Sequence, residues 1–193
     1  MPYTETPFTF TDLPGLSQKQ LDLHLKLYGG YVKNVNAIEE KIKEYKIDSA
    51  ANAIALSEIT RRYAFEFNGM RLHEYYFEQL GGNGMMPSAG QLIEALSATW
   101  GSPENWLTEI KAMAAMRGIG WVLTVLDNKN HQPHNIWISD HEIGHLAGCH
   151  IIFALDLWEH AFMIDYIPAT KGEYVNAYLQ NVNWNVVNGR IVK

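Results

Sequence analysis

"HIIFALDLWEHAF", residues 150 to 162, joins two kinds of sequence. The first part, "HIIFALD", is short, apolar and rich in β-branched and aromatic residues, which suits a buried strand. It ends on Asp156, and His160 follows four residues later. A buried carboxylate or imidazole without a partner costs several kcal/mol or shifts its pKa until it is neutral. A pair leaving a core strand together therefore needs a partner. An i, i+4 contact on a helix surface is one solution, and a shared metal ion is the other. "WEHAFMIDY" is expected to be helical.

Two earlier stretches resemble that strand. "GWVLTVLD" (120 to 127) and "NIWIS" (135 to 139) are bounded by Gly, Asn and Asp, with "DNKNHQPHN" as the turn between them. Three such strands predict a small antiparallel sheet. "GEYVNAYLQNVNW" closes the chain as helix. Ahead of the sheet, "SAGQLIEALSATW" is helical, and "SPENWLTEIKAMAAM" opens with a capping Ser102 and with Pro103 at the first helical position.

The N-terminal half has a helical period. In "LPGLSQKQLDLHLKLY", Ser17 caps a helix and Gln20 completes a capping box. Leu21, His24, Leu25 and Tyr28 then share a face. Gly29 and Gly30 interrupt it at a cost of about 2 kcal/mol in a helix interior, which predicts a kink or a change of register. Residues 50 to 80 carry a second long helical pattern with His73 near its end, closed by Gly81-Gly82. "GGNGMMP" (81 to 87) reads as a linker. The fold class is α+β: an N-terminal helical hairpin domain over residues 1–84, then an α/β lobe over residues 85–193 with a three-stranded antiparallel sheet.

Composition narrows the function classes. The 193 residues are 47% hydrophobic and 19% charged, ordinary for a globular domain. No stretch approaches 18 apolar residues, which argues against a membrane span, and "MPYTETPFTF" has no secretory character. The single cysteine, Cys149, fits a reducing cytoplasm. A net charge of -6 argues against nucleic acid as a partner, while leaving room for a local positive funnel toward a small anion.

Taken together, the motifs resemble the iron/manganese superoxide dismutases over nearly the whole chain. "DLWEHAF" is similar to that family's D-x-W-E-H-A-[YF] signature, which supplies an aspartate and a histidine ligand. "LDLHLKLYGGYVKNVN" is similar to its first ligand helix and "NGMRLHEYYF" to its second. "GIGWVLTVLD" and "VNWNVV" match its glycine-tryptophan strand and its C-terminal asparagine-tryptophan. The resemblance implies metal ligands at His24, His73, Asp156 and His160 and one iron or manganese ion per subunit. It implies disproportionation of superoxide to dioxygen and hydrogen peroxide by M(III)/M(II) cycling. Three neutral imidazoles and one carboxylate suit either metal.

Further residues follow from the same resemblance. Tyr31 gates the channel, and Trp121, Trp158 and Tyr76 wall the pocket. Glu159 reaches across a homodimer interface to the partner's His160, with a tetramer as the larger alternative. Four departures stand out. Six residues separate His24 from Tyr31 where the family usually has seven, so the local helix is expected to differ. Tyr28 falls where many members carry a channel-mouth histidine, and Met163 where a tyrosine often pairs across the dimer. Gly69 replaces a glutamine that would neighbour the metal-bound solvent, and His141 aligns in the histidine-bearing subgroup. Its ring nitrogen is expected within about 3.2 Å of that solvent, a placement that favours iron or activity with both metals.

"HEIGH", residues 141 to 145, is also an H-E-x-x-H match, the zinc-protease arrangement. That chemistry needs a stable helix, and Gly144 and Gly148 weaken one here. A non-enzymatic metal-binding or storage module is a further alternative. Substitution of Glu142 separates these readings, since a protease would lose all activity.

Overall fold

A computed structural model describes residues 1–191; the last two residues of the C-terminal lobe lie outside them. The N-terminal half is the expected hairpin, α1 (Gln18–Tyr45) and α2 (Ala53–Glu78). α3 (Gln91–Trp100) and α4 (Pro103–Ala114) follow. Then come β1 (Gly120–Asp127), β2 (Pro133–Ser139) and β3 (Cys149–Asp156), and finally α5 (Lys171–Gln180) and α6 (Trp184–Gly189). The strands form one antiparallel sheet in the order β2-β1-β3. Register places Trp121 of β1 opposite Asp156 of β3. Val122, Leu123, Ile152, Phe153 and Leu155 bury the sheet in the same core as Tyr76 and Phe77 of α2. Among the described residues, no helix is long and apolar enough to cross a membrane.

The structure corrects three expectations. α1 runs without a break through Gly29 and Gly30. Its packing against α2 outweighs the weak propensity of two glycines, and the bare Gly29 admits the Glu5 carboxylate, whose Oε1 would lie 2.8 Å from an added Cβ. Because the helix is continuous, His24 and Tyr31 are seven residues and nearly two full turns apart, and so share a face.

"WEHAFMIDY" is not a helix. It holds a single 3-10 turn, Glu159–Ala161, followed by turns. The cause is Gln20. Its Nε2 donates to the His160 carbonyl at 2.6 Å and its Oε1 accepts from the Ile164 N–H at 3.0 Å. Those two backbone groups would bond to each other in an α-helix.

The same contacts undo half of the capping box. Ser17 Oγ does accept from the Gln20 N–H at 3.1 Å. The Gln20 side chain, however, does not return to Ser17, whose own N–H donates to Asp165 Oδ2 at 2.7 Å.

Candidate metal centre

Four elements aim side chains at one point between the hairpin and the sheet. His24 comes from α1, His73 from the last turns of α2, Asp156 from the end of β3, and His160 from the 3-10 turn beyond it. One ligand atom from each lies within 4.8 Å of all the others. Asp156 Oδ2 is 3.1 Å from His24 Nε2, 3.1 Å from His160 Nε2 and 3.6 Å from His73 Nε2, and the last two nitrogens are 3.3 Å apart. Donors about 2.0–2.2 Å from a common ion lie at most about 4.4 Å apart, so this spacing is that of one coordination sphere.

Protonation supports the fit. The Gly69 carbonyl can only accept, so His73 Nδ1, 2.6 Å away, carries the hydrogen. His73 Nε2 therefore turns a lone pair, with no proton to offer, toward a carboxylate oxygen and another imidazole nitrogen. A cation relieves that. Burial lowers the pKa of both His24 and His73, keeping the rings neutral. Burial alone would raise that of Asp156, but the contacts with His160 and His24 outweigh it and hold the carboxyl well below its ordinary range. Asp156 is fixed further by the Trp158 N–H on Oδ1 at 2.9 Å and by the Tyr174 hydroxyl on its backbone carbonyl at 2.8 Å.

Around this cluster stand the expected aromatics. Tyr76 packs 4.9 Å from the His24 ring and Trp121 5.2 Å from His73. Trp158 stacks on both His141, at 5.0 Å, and His160, at 5.6 Å. Tyr31 lies 5.1 Å from the His73 ring and directly over Gly69, where an added Cβ would fall 2.6 Å from the tyrosine ring. Only a glycine admits Tyr31 in this position.

His141 links two of these residues. Trp121 Nε1–H can only donate, so His141 Nδ1, 2.9 Å away, is the bare nitrogen. Burial lowers the His141 pKa to about 4, so the ring is neutral and its hydrogen sits on Nε2, which donates to the Tyr31 hydroxyl at 2.7 Å. Both ring nitrogens thus have protein partners, and the protein reaches the metal side of the pocket through Tyr31. Burial also raises the Tyr31 pKa, so its hydroxyl keeps its proton far into the alkaline range.

The remaining candidates fall elsewhere. "HEIGH" is not helical: Ser139 and Ile143 form an isolated bridge, and His145 Nε2 contacts the His141 carbonyl while the His141 ring faces Tyr31 and Trp121. No pair of histidines shares a helix face here, so the zinc-protease arrangement is absent. Tyr28 is buried rather than placed at a channel mouth, donating to Glu74 Oε1 at 3.0 Å and accepting from the Thr6 N–H at 2.9 Å. Glu159 is exposed. Sequence patterns gave Gln20 only a capping role and did not single out Phe65 or Arg62. Phe65 packs 4.6 Å from His141, and the Arg62 guanidinium lies 3.9 Å above the Phe65 ring while pairing with Glu66. Their one signal was phase, since Arg62, Phe65, Gly69 and His73 fall on adjoining helical positions of α2.

Fold and side-chain cluster together are those of a chain able to hold one metal ion between three histidines and one carboxylate. The family model described as "Iron/manganese superoxide dismutases, C-terminal domain" matches residues 88–190. An iron superoxide dismutase of Cupriavidus metallidurans is 38% identical over 175 residues, covering 89% of this chain and 86% of the relative. A manganese superoxide dismutase of Halobacterium salinarum is 33% identical over 183 residues, covering 93% and 88%. An iron superoxide dismutase of Pyrobaculum aerophilum is 29% identical over 192 residues, covering 97% and 90%. The chain belongs to the iron/manganese superoxide dismutase family.

Proposed function

We infer that His24, His73, Asp156 and His160 hold one iron or manganese ion, and that the chain uses it to disproportionate superoxide. The observation that carries this is the convergence of three imidazole nitrogens and one carboxylate oxygen on a single buried point. Bound iron or manganese supplies the M(III)/M(II) couple by which one superoxide is oxidised to dioxygen and another, with two protons, is reduced to hydrogen peroxide. The protein supplies the rest. Asp156 gives the donor set a net charge of -1, which favours the higher oxidation state. Tyr76, Trp121 and Trp158 exclude bulk water. His141 donates to the Tyr31 oxygen, and among the described residues the Tyr31 hydroxyl hydrogen has no acceptor. Tyr31 is thus the group placed to pass a proton to the reacting oxygen.

The finer reading has its own supports. His141 beside Gly69 favours iron, or activity with both metals, and the relatives include enzymes named for each. A homodimer is favoured by the surface around Glu159. Met163 is 49% and Ile164 46% exposed there, and among the described residues nothing accepts from the outer nitrogen of His160. In the pair, each Glu159 would accept from the partner's His160. We assign the hairpin lobe to residues 1–84 and the α+β lobe to residues 85–193, with the metal between them. The lone free cysteine supports a cytoplasmic enzyme.

The test is to strip the purified protein of metal and reload it with iron or manganese separately. Near one ion per chain and dismutation with at least one metal are expected. Stoichiometric loading with no dismutation by either would overturn the functional reading.

A further inference from the structure

In the segment carrying His160, one helical rung is replaced by a residue 140 positions away. In a helix the Ile164 N–H would donate to the His160 carbonyl, four residues back. The Gln20 amide stands between them instead, offering one donor and one acceptor where the rung would be. Gln20 is 1% exposed, so neither bond is shared with bulk water. Ser17, at the same end of α1, holds Asp165. The first turn of α1 therefore grips residues 160 to 165 at three backbone or carboxylate atoms. One turn further along α1 comes His24. A single helix thus presents one donor to the cluster directly and holds the turn that presents another.

We propose that Gln20 is a positioning residue for His160: by replacing a helical rung it sets the turn that aims the imidazole at Asp156 Oδ2, and so fixes the metal's hold on its fourth protein ligand. This rests on the metal reading given above. Trp158 is extended (φ -70°, ψ 150°) and separates the turn from β3, so a restored rung would wind the chain forward from Glu159, drawing the His160 carbonyl toward Ile164 and swinging the ring from the point where the other three donors meet. The chemistry asks for an amide. Glutamate keeps the acceptor but sets a carboxylate oxygen against the His160 carbonyl. Methionine keeps the length and loses both bonds.

The experiment compares wild type, Gln20→Met, Gln20→Glu and a core control, Val35→Ala, all loaded with iron. Val35 is fully buried in the same helix, about three turns beyond His24. The readouts are the rate of iron release to a strong chelator, the electron paramagnetic resonance spectrum of the iron(III) form, and the melting temperature of the metal-free protein. Gln20→Met is expected to release iron about tenfold faster and to change the spectrum. Val35→Ala is expected to lower the metal-free melting temperature with the spectrum unmoved. Should Gln20→Met fail to fold, Gln20→Glu carries the same comparison, with an intermediate release rate expected. Unchanged release and spectrum in the folded Gln20 variants would overturn the proposal. So would changes that Val35→Ala reproduces. Failure of wild type to hold one ion would instead sink the metal reading on which it rests.

Discussion

Three of the four candidate ligands sit on regular elements and one does not. His24, His73 and Asp156 are at most 1% exposed, each fixed by the helix or strand that carries it. His160 stands on a 3-10 turn with a side chain 22% exposed, steadied by an amide from another element. The inner three form a rigid socket. The fourth belongs to the surface that we assign to the partner subunit. On the homodimer proposed above, the difference separates two jobs: the socket would set which metal chemistry is possible, and the outer turn would couple that chemistry to assembly.

The largest effect is expected inside the socket. Asp156→Ala removes the anionic donor and leaves three imidazoles facing one another, so dismutation should fall to background even in metal-soaked protein. Metal binding is linked to folding, so the melting temperature should drop by several degrees, at about 2–4 °C per kcal/mol for a chain of this size. Calorimetry with and without metal checks this. Equal stabilisation of wild type and variant by metal would count against the socket.

At the outer turn the expected loss is smaller and of a different kind. Glu159→Ala should raise the dimer dissociation constant and speed metal loss together, each by about tenfold. Sedimentation at several concentrations, paired with chelator competition, reads both. If metal retention fell while assembly held, the two jobs would not be coupled as described.

His141→Gln sharpens the comparison from behind the socket. A glutamine can accept from Trp121 and donate to Tyr31, so stability should stay within about 1 kcal/mol. The ratio of iron-loaded to manganese-loaded activity should nonetheless move, because an amide reaches Tyr31 differently from an imidazole. An unmoved ratio would remove His141 from metal tuning.

The smallest effect is electrostatic. Arg62 is the cation over Phe65, beside His141 and Tyr31, in a chain of net charge -6. Arg62→Ala should lower kcat/KM by about two- to fivefold at low salt, with the deficit shrinking as ionic strength rises. A deficit independent of salt would point to lost packing instead.

Much of this was legible in the sequence because it rests on local rules. Helical period placed His24 and His73, alternation and turn residues placed the three strands, and the resemblance tied Asp156 to His160. What was missed depends on contacts distant in sequence. The uninterrupted α1 follows from packing on α2, which no local propensity for Gly29 and Gly30 registers. The missing 160–164 rung follows from Gln20, whose nearest sequence cue suggested a capping role. Arg62 and Phe65 gained significance only when α2 was seen to turn their face toward His141. His141 itself could be placed by resemblance, but not its two partners, since these come from α1 and β1.

Anomalous diffraction from crystals of the iron- or manganese-loaded protein, recorded on both sides of the metal edge, tests the central claim most directly. One peak per chain is expected, about 2.0–2.2 Å from Nε2 of His24, His73 and His160 and from Oδ2 of Asp156. A peak elsewhere, or one at this place that leaves His24 or His73 unbonded, would contradict the account.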